Sequence, residues 1–276
     1  MNKASLINRR SLLLLIIVFA GICALVFYLL YEKAKDAAVN RLDDEQMIHA
    51  RQAARGIEDY FVTWTGILTS LSKMNEIINV NEAGKHQMKL FYDAHKEQIR
   101  SITRMNEHGI ILFTFPGRGA IGRNLTHQTH IQELLKTRKP VVSDVFRTLQ
   151  GFDAVALHVP VFNGPQFKGS IAVTINFQSL AKRYLEIIKI GKTGYAWIVS
   201  RDGTELYCPV PGHTGNSVFA NCKDFPSIIV MATDMLKGRS GITTYTFDKI
   251  SGTAVTPVVK HAVYLPIKLG STFWSI

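Results

Sequence analysis

From Leu12 to Tyr31 the chain carries an uninterrupted apolar run of about twenty residues, the feature that most restricts where and how it can fold. At about 1.5 Å per helical residue, such a run covers a hydrocarbon layer of roughly 30 Å. A bilayer offers no water to backbone N–H and C=O groups, so a helix, which pairs them internally, is the form that can cross. Lys3, Arg9 and Arg10 precede the run with no acid among them. That bias predicts a cytoplasmic N-terminus (residues 1–10), a transmembrane helix (11–31) in the inner (plasma) membrane, and an extracytoplasmic remainder. A cleaved signal peptide is the alternative. Its apolar region is about 7–15 residues long and ends at a small-residue cleavage site, and Tyr28–Lys33 offers no such site.

Beyond the span there is no proline until Pro116. Ile57, Phe61, Trp64, Leu68, Leu71, Met74 and Ile78 recur at steps of three and four, the signature of one apolar stripe on a helix. We therefore expect a long stalk helix over 32–80, suited to pairing with a second copy as a homodimer. Asn81–Gly84 interrupts it, and a shorter amphipathic helix is predicted from Lys85 to Glu97.

The same order of elements then occurs twice. In the first pass, strands at Ile99–Met105 and Ile110–Phe115 flank a turn. A helix near His127–Lys136 follows, then strands at Val141–Arg147, Ala154–Phe162 and Ser170–Phe177, and a helix over Gln178–Ile188. In the second, strands at Tyr195–Ser200 and Thr204–Tyr207 flank Arg201-Asp202-Gly203. A helix at Pro226–Leu236 precedes strands at Ile242–Phe247, Val258–Ile267 and Ser271–Ile276. Short turns between consecutive strands imply antiparallel pairing, hence an α+β fold of two tandem modules, 81–190 and 191–276. The final Phe273-Trp274-Ser275-Ile276 reads as the middle of a strand, so the second module is expected to be truncated and the chain to be a piece of a longer protein.

Several segments in this order resemble the double Cache sensors, extracytoplasmic tandem PAS-like domains of bacterial transmembrane receptors. They are Pro140-Val141-Val142-Ser143-Asp144-Val145-Phe146 leading to His158-Val159-Pro160-Val161, and Gly191-Lys192-Thr193-Gly194-Tyr195-Ala196-Trp197-Ile198 with Asp202-Gly203. Gly238-Arg239-Ser240-Gly241 with Tyr245, and Trp274-Ser275-Ile276, complete the pattern. The resemblance implies a small ligand in the membrane-distal module and a signal passed through the membrane to an output domain. That output would be a two-component sensor histidine kinase, which the ending most resembles, or a chemoreceptor or cyclic-dinucleotide enzyme. It implies a receptor half rather than an enzyme in its own right, with no cofactor. A membrane-tethered scaffold without a ligand is the remaining alternative.

By the same resemblance the pocket involves the distal helical excursion and the strands facing it, where Arg123, Asn124, His127, His130, Ser143, Phe146 and Arg147 stand. The amino-acid-binding subgroup carries an Arg-x-Trp-Tyr cluster and an aspartate for the α-amine. This chain has His127-Gln128-Thr129-His130 and Thr174 at those places, which counts against an amine ligand. Two arginines and two histidines would instead suit a carboxylate or other small anion.

Other chemistry is weaker. Gly117–Gly122 spells GxGxxG after a strand, yet Arg123–Thr126 delays the helix that a dinucleotide phosphate needs. His127 and His130 could share a helical face, but no third metal ligand is near, so no metal is expected. The formal charge of +11 includes Lys3, Arg9 and Arg10, and no nucleic-acid-binding fingerprint accompanies it. Cys23 falls in the span. Cys208 and Cys222 flank a Pro/Gly-rich loop and could form a disulfide in an oxidising compartment, or remain free thiols.

Overall fold

A computed structural model of the chain describes residues 9–147, 153–188, 190, 194–251 and 254–276. It divides into two compact units, Met1–Gln46 and Met47–Ile276. The described part of the first is helical throughout and belongs to α1 (Arg9–Leu71). From Leu12 to Tyr31 its large apolar side chains are exposed, Leu13 by 60%, Ile17 by 68% and Phe27 by 74%. An 18-residue window there has a mean hydropathy of 3.0 and no buried residue. A helix apolar all round and without protein cover matches lipid as its solvent. After Tyr31 the surface turns polar, and Lys35–Glu32 and Arg41–Glu45 pair across single turns.

In the second unit, α1 buries Ile57, Phe61, Trp64 and Leu68, the stripe expected from the sequence. The helix was predicted to continue to residue 80 but ends at Leu71. There the turn tightens: the Met74 N–H donates to the Leu71 carbonyl, and the Ser72 hydroxyl takes the Thr69 carbonyl. Met74 is extended, and α2 (Asn75–Asn79) restarts the helix. An apolar stripe spaced by three and four survives such a break, which is why spacing alone did not reveal it. Asn81 then caps α3 (Glu82–His95) by accepting the Gly84 N–H at 2.9 Å.

The first sheet comprises β1 (Ile99–Met105), β2 (Ile111–Phe115), β3 (Val141–Val142), β4 (Phe146–Arg147), β5 (Asp153–Asn163) and β6 (Gln166–Asn176). Its order is β2-β1-β6-β5-β3, all antiparallel, with β4 also on β5. Helix α4 (Thr129–Thr137) lies between β2 and β3 in sequence, and α5 (Phe177–Leu185) follows β6. The predicted single strand over 141–147 is divided because the Ser143 hydroxyl accepts the Ala156 N–H at 2.8 Å, displacing a ladder carbonyl.

The second half contains β7 (Ile198–Ser200), β8 (Glu205–Tyr207), α6 (Val218–Asn221), α7 (Pro226–Met235), β9 (Gly241–Ser251), β10 (Ala254–Tyr264), β11 (Pro266–Leu269) and β12 (Thr272–Ser275). One sheet runs β11-β12-β7-β8, and β9 and β10 form a separate hairpin. Between β10 and β11, Leu265 exchanges two backbone hydrogen bonds with Ile276 at 3.1 Å, while Pro266 has no N–H to give. Taken as one bent strand, β10–β11 gives β8-β7-β12-β11/β10-β9, the strand order of the first sheet. The α+β class with antiparallel sheets is the one expected.

One apolar core joins α1, α5 and both sheets. Trp274 on β12 is fully buried, edge-on to Phe61 of α1 at 5.6 Å and to Phe177 of α5 at 5.3 Å. Arg104 on β1 is also buried and has no acid among its hydrogen-bond partners. Its guanidinium instead donates to the carbonyls of Ile77 (3.1 Å), Ile78 (3.2 Å), Lys168 (2.8 Å), Ser170 (3.3 Å) and Met105. Burial lowers its pKa to about 10, so it stays cationic at neutral pH.

Candidate functional site

Side chains alternate across a strand, and the first sheet sorts its two faces by chemistry. Val155, Leu157 and Val159 on β5, and Ile171, Val173 and Ile175 on β6, enter the core shared with α1. The intervening residues are Ala154, Ala156 and His158 on β5, and Ser170, Ala172 and Thr174 on β6. They pair as Ala156↔Thr174 and His158↔Ala172. On β1, Ser101 and Thr103 stand opposite Thr174 and Ala172, and Thr103 faces Thr114 on β2. This second face is a floor of small and hydroxylated side chains. Its hydroxyls already pair with one another, Ser101 donating to Thr174 at 2.9 Å and Thr103 meeting Thr114 at 2.9 Å.

Above part of that floor stands α4. Its Ile131 and Leu134 pack with Met105 and Val141, which anchors the helix at one end of the face. His130, on the same helix, lies 5.4 Å from the His158 ring and stacks near-parallel on Phe146 of β4 at 6.3 Å. His158 is buried, with Nδ1 3.1 Å from the Ser170 hydroxyl. Burial pushes the pKa of His158 down to about 3, helped by His130. It pushes His130 down to about 4, with Glu133 opposing. Both rings are therefore neutral at pH 7, able to donate and accept one hydrogen bond each.

The structure brings His130, Phe146 and Thr174 to this face and leaves other expected residues elsewhere. Arg123 is exposed, its backbone carbonyl holding the Ile111 N–H at 3.0 Å. Asn124 is exposed and caps its own turn by accepting from the Thr126 N–H and hydroxyl at 2.8 and 2.7 Å. His127 is exposed as well. Ser143 is buried, but its hydroxyl is spent on backbone, donating to Asp144 and accepting from Ala156. The Arg147 side chain falls outside the described residues. His158 was not among the expected site residues, although it stands in the quoted His158–Val161 motif. A polar residue set in an otherwise alternating apolar strand was the available signal.

Gly117–Gly122 forms a loop whose Gly122 N–H returns to the Ile111 carbonyl at 2.8 Å, and α4 begins only at Thr129. The loop thus meets no helix N-terminus. In the second half, Cys208 and Cys222 are both free thiols lining one small cavity.

Residues 78–176 match the family model described as "HK/GC/Chemotaxis protein-like, sensor domain". No curated protein sequence matches the chain significantly. Among solved structures, an extracellular ligand-binding receptor from Desulfohalobium retbaense is similar at a TM-score of 0.63 and 17% identity. The match covers 84% of this chain and 39% of that one, so this chain spans well under half of that receptor structure. The ligand-binding domain of the Pseudomonas fluorescens chemoreceptor CtaA, in complex with L-serine, is similar at 0.64 and 16% identity, covering 86% of this chain and 95% of that one. The extracellular domain of mmHK1S-Z2, assigned as a histidine kinase, is similar at 0.61 and 17% identity, covering 84% and 95%. Residues 78–176 thus match a sensor-domain family model, and the chain shares its fold with the ligand-binding domains of chemoreceptors and histidine kinases.

Proposed function

We propose that this chain is the extracytoplasmic input half of a membrane receptor, anchored by 11–31, with a membrane-distal module over 81–190 and a membrane-proximal module over 191–276. In this reading its N-terminus is cytoplasmic, it works as a homodimer through α1, and catalysis belongs to an output partner such as a histidine kinase. The observation that carries the proposal is the sorting of the first sheet. One face is committed to α1; the other presents Ala154, Ala156, Ala172 and Thr174 beneath His130 and Phe146. A core face would be filled with large apolar side chains, and a solvent face would not bury three alanines.

The ligand is a small polar molecule held by hydrogen bonds more than by ion pairing. Both imidazoles at the face are neutral at pH 7, and Arg123 is turned to solvent. Amino acids are what the CtaA domain binds in its solved complex, and they belong in the same screen.

Helix α4 supplies a route for the signal. Its Glu133 and Thr137 line a cleft of about 410 Å³ that also takes in Glu58, Phe61 and Thr65 of α1, Val142 of β3, Leu157 of β5 and the β11–β12 turn. The Lys268 N–H of β11 donates to Glu58 at 2.7 Å. A ligand that moves α4 shifts what α1 packs against, provided it binds one arrangement better than the other.

The test is a thermal-shift and calorimetric screen of the full chain in detergent against amino acids, small carboxylates, polyols and nucleosides. A true ligand raises Tm in proportion to the logarithm of its concentration, and Ala156→Leu removes the shift; because Ala156 is buried, this variant also lowers Tm without ligand, and Thr174→Leu, at a less buried position, is the milder probe. A ligand whose binding survives Ala156→Leu and Thr174→Leu unchanged would place recognition elsewhere.

A further inference from the structure

The second half of the chain holds a cluster that ligand sensing in the first sheet does not use. Glu205 on β8 is about 1% exposed, a carboxylate taken almost wholly out of water. Both of its oxygens face His213, with Nδ1 3.1 and 3.2 Å away, and Asn221 donates to Oε1 at 2.9 Å. Cys222, at the end of α6, is buried beside them. One ligand atom each from Glu205, His213 and Cys222 lies within 4.8 Å of the others. Cys208 lines the same cavity, outside that group of three; burial chiefly, and the Glu205 carboxylate in addition, raise the pKa of its thiol.

The cavity measures about 20 Å³. A single water or ion requires about 10–15 Å³ on the same measure, whereas organic ligands occupy clefts of roughly 300–1,000 Å³. Its size therefore admits a single ion or water and no organic ligand. Two ligands of one tetrahedral zinc, with bonds of about 2.0–2.2 Å to nitrogen and oxygen, stand about 3.4 Å apart. The His213–Glu205 separations are a few tenths of an ångström shorter. Thiolate, imidazole and carboxylate together suit zinc and exclude calcium and magnesium, which take oxygen ligands. Asn221 supplies the outer hydrogen bond that orients a ligating carboxylate.

We propose that Glu205, His213 and Cys222, with Cys208 as fourth ligand, form a zinc site that pins the 208–217 loop to β8 and α6. Binding forms bonds from the metal to the Glu205 oxygen, an imidazole nitrogen and the two sulfurs. Each cysteine releases its thiol proton to solvent, and no oxidation state changes. A Cys208–Cys222 disulfide is the competing use of the same two thiols.

The full chain in detergent, reduced and stripped with a chelator under anaerobic conditions, is titrated with zinc chloride and desalted. One zinc per chain is expected by elemental analysis. Replacing zinc with cobalt(II) should give thiolate-to-metal charge transfer and the visible bands of a tetrahedral ion. Glu205→Gln, His213→Gln and the Cys208→Ser/Cys222→Ser pair should each weaken binding at least a hundredfold. Asn221→Ala should weaken it about 10–100-fold, as outer hydrogen-bond partners do, and exposed His127→Ala should leave it unchanged. Circular dichroism of each variant identifies any that fails to fold, and Cys208→Ser, at the more exposed thiol, serves as the milder probe. Less than a tenth of a zinc per chain, affinity unchanged in the folded ligand variants, or a Cys208–Cys222 disulfide in peptide maps of protein from cells would each overturn the proposal.

Discussion

Replacing both His130 and His158 with glutamine should flatten the response of the protein's stability to mild acid. Each imidazole has an ordinary pKa near 6.5, brought down to about 4 at His130 and about 3 at His158, in both cases chiefly by burial. A histidine with a depressed folded pKa binds its proton more readily when unfolded. Its contribution to stability is therefore complete above pH 6.5 and is lost as pH falls toward the folded value. At pH 5.0 the unfolded ring gains about 2 kcal/mol from protonation, while the folded rings remain almost wholly neutral. The pair should thus cost about 4 kcal/mol between pH 7.5 and pH 5.0 that the double variant does not lose. Urea unfolding of the full chain in detergent can be followed by tryptophan fluorescence, because Trp64, Trp197 and Trp274 all lie in the unit from Met47 to Ile276. The two proteins share every other titrating group, so their difference isolates the two rings. Losses that agree to within 1 kcal/mol would refute the burial argument and, with it, the neutrality of the candidate site.

Two further outcomes follow from the packing. Arg104→Met leaves five carbonyls without this donor and should destabilise the fold by about 3–5 kcal/mol, since each buried acceptor left unsatisfied costs about 1–3 kcal/mol; urea titration at pH 7.5 checks it, and a loss under 1 kcal/mol would mean that water replaces the guanidinium. Phe61→Ala removes one of the two rings enclosing Trp274 and should cost about 3–5 kcal/mol. It should also shift the buried tryptophan emission to longer wavelength, whereas an unmoved spectrum would contradict the edge-on contact.

Long periodic features were legible in the sequence. The span from Leu12 to Tyr31 and the stripe from Ile57 to Leu68 follow from hydrophobic spacing alone, and the repeated order of elements predicted two antiparallel sheets. The stop at Leu71 was hidden because α2 resumes in phase. The candidate site was read less well, since sequence position does not say which way a loop residue turns. Arg123 and His127 lie in the expected region yet point to water, and Ser143 spends its hydroxyl on the backbone of Ala156. His158 was passed over because β5 reads as apolar, and its meaning emerges only when the strand's two faces are separated. Cys208 and Cys222 were paired by their flanking of a loop. That Glu205 and His213 converge on the same point depends on β8 and the 208–217 loop folding back, which no local spacing displays.

The division of labour across β5 and β6 also bears on how such a receptor could diverge. Val155, Leu157, Val173 and Ile175 are bound to α1 by volume and tolerate little change. Ala154, Ala156, Ala172 and Thr174 stand on the opposite face, outside the core shared with α1, so exchanges among them alter that face's outline and hydrogen bonding while leaving the α1 contact in place. Under the proposed function, new specificities would be accessible by single substitutions on alternate residues of two strands, and a lineage could change its stimulus while keeping the α1 contact intact.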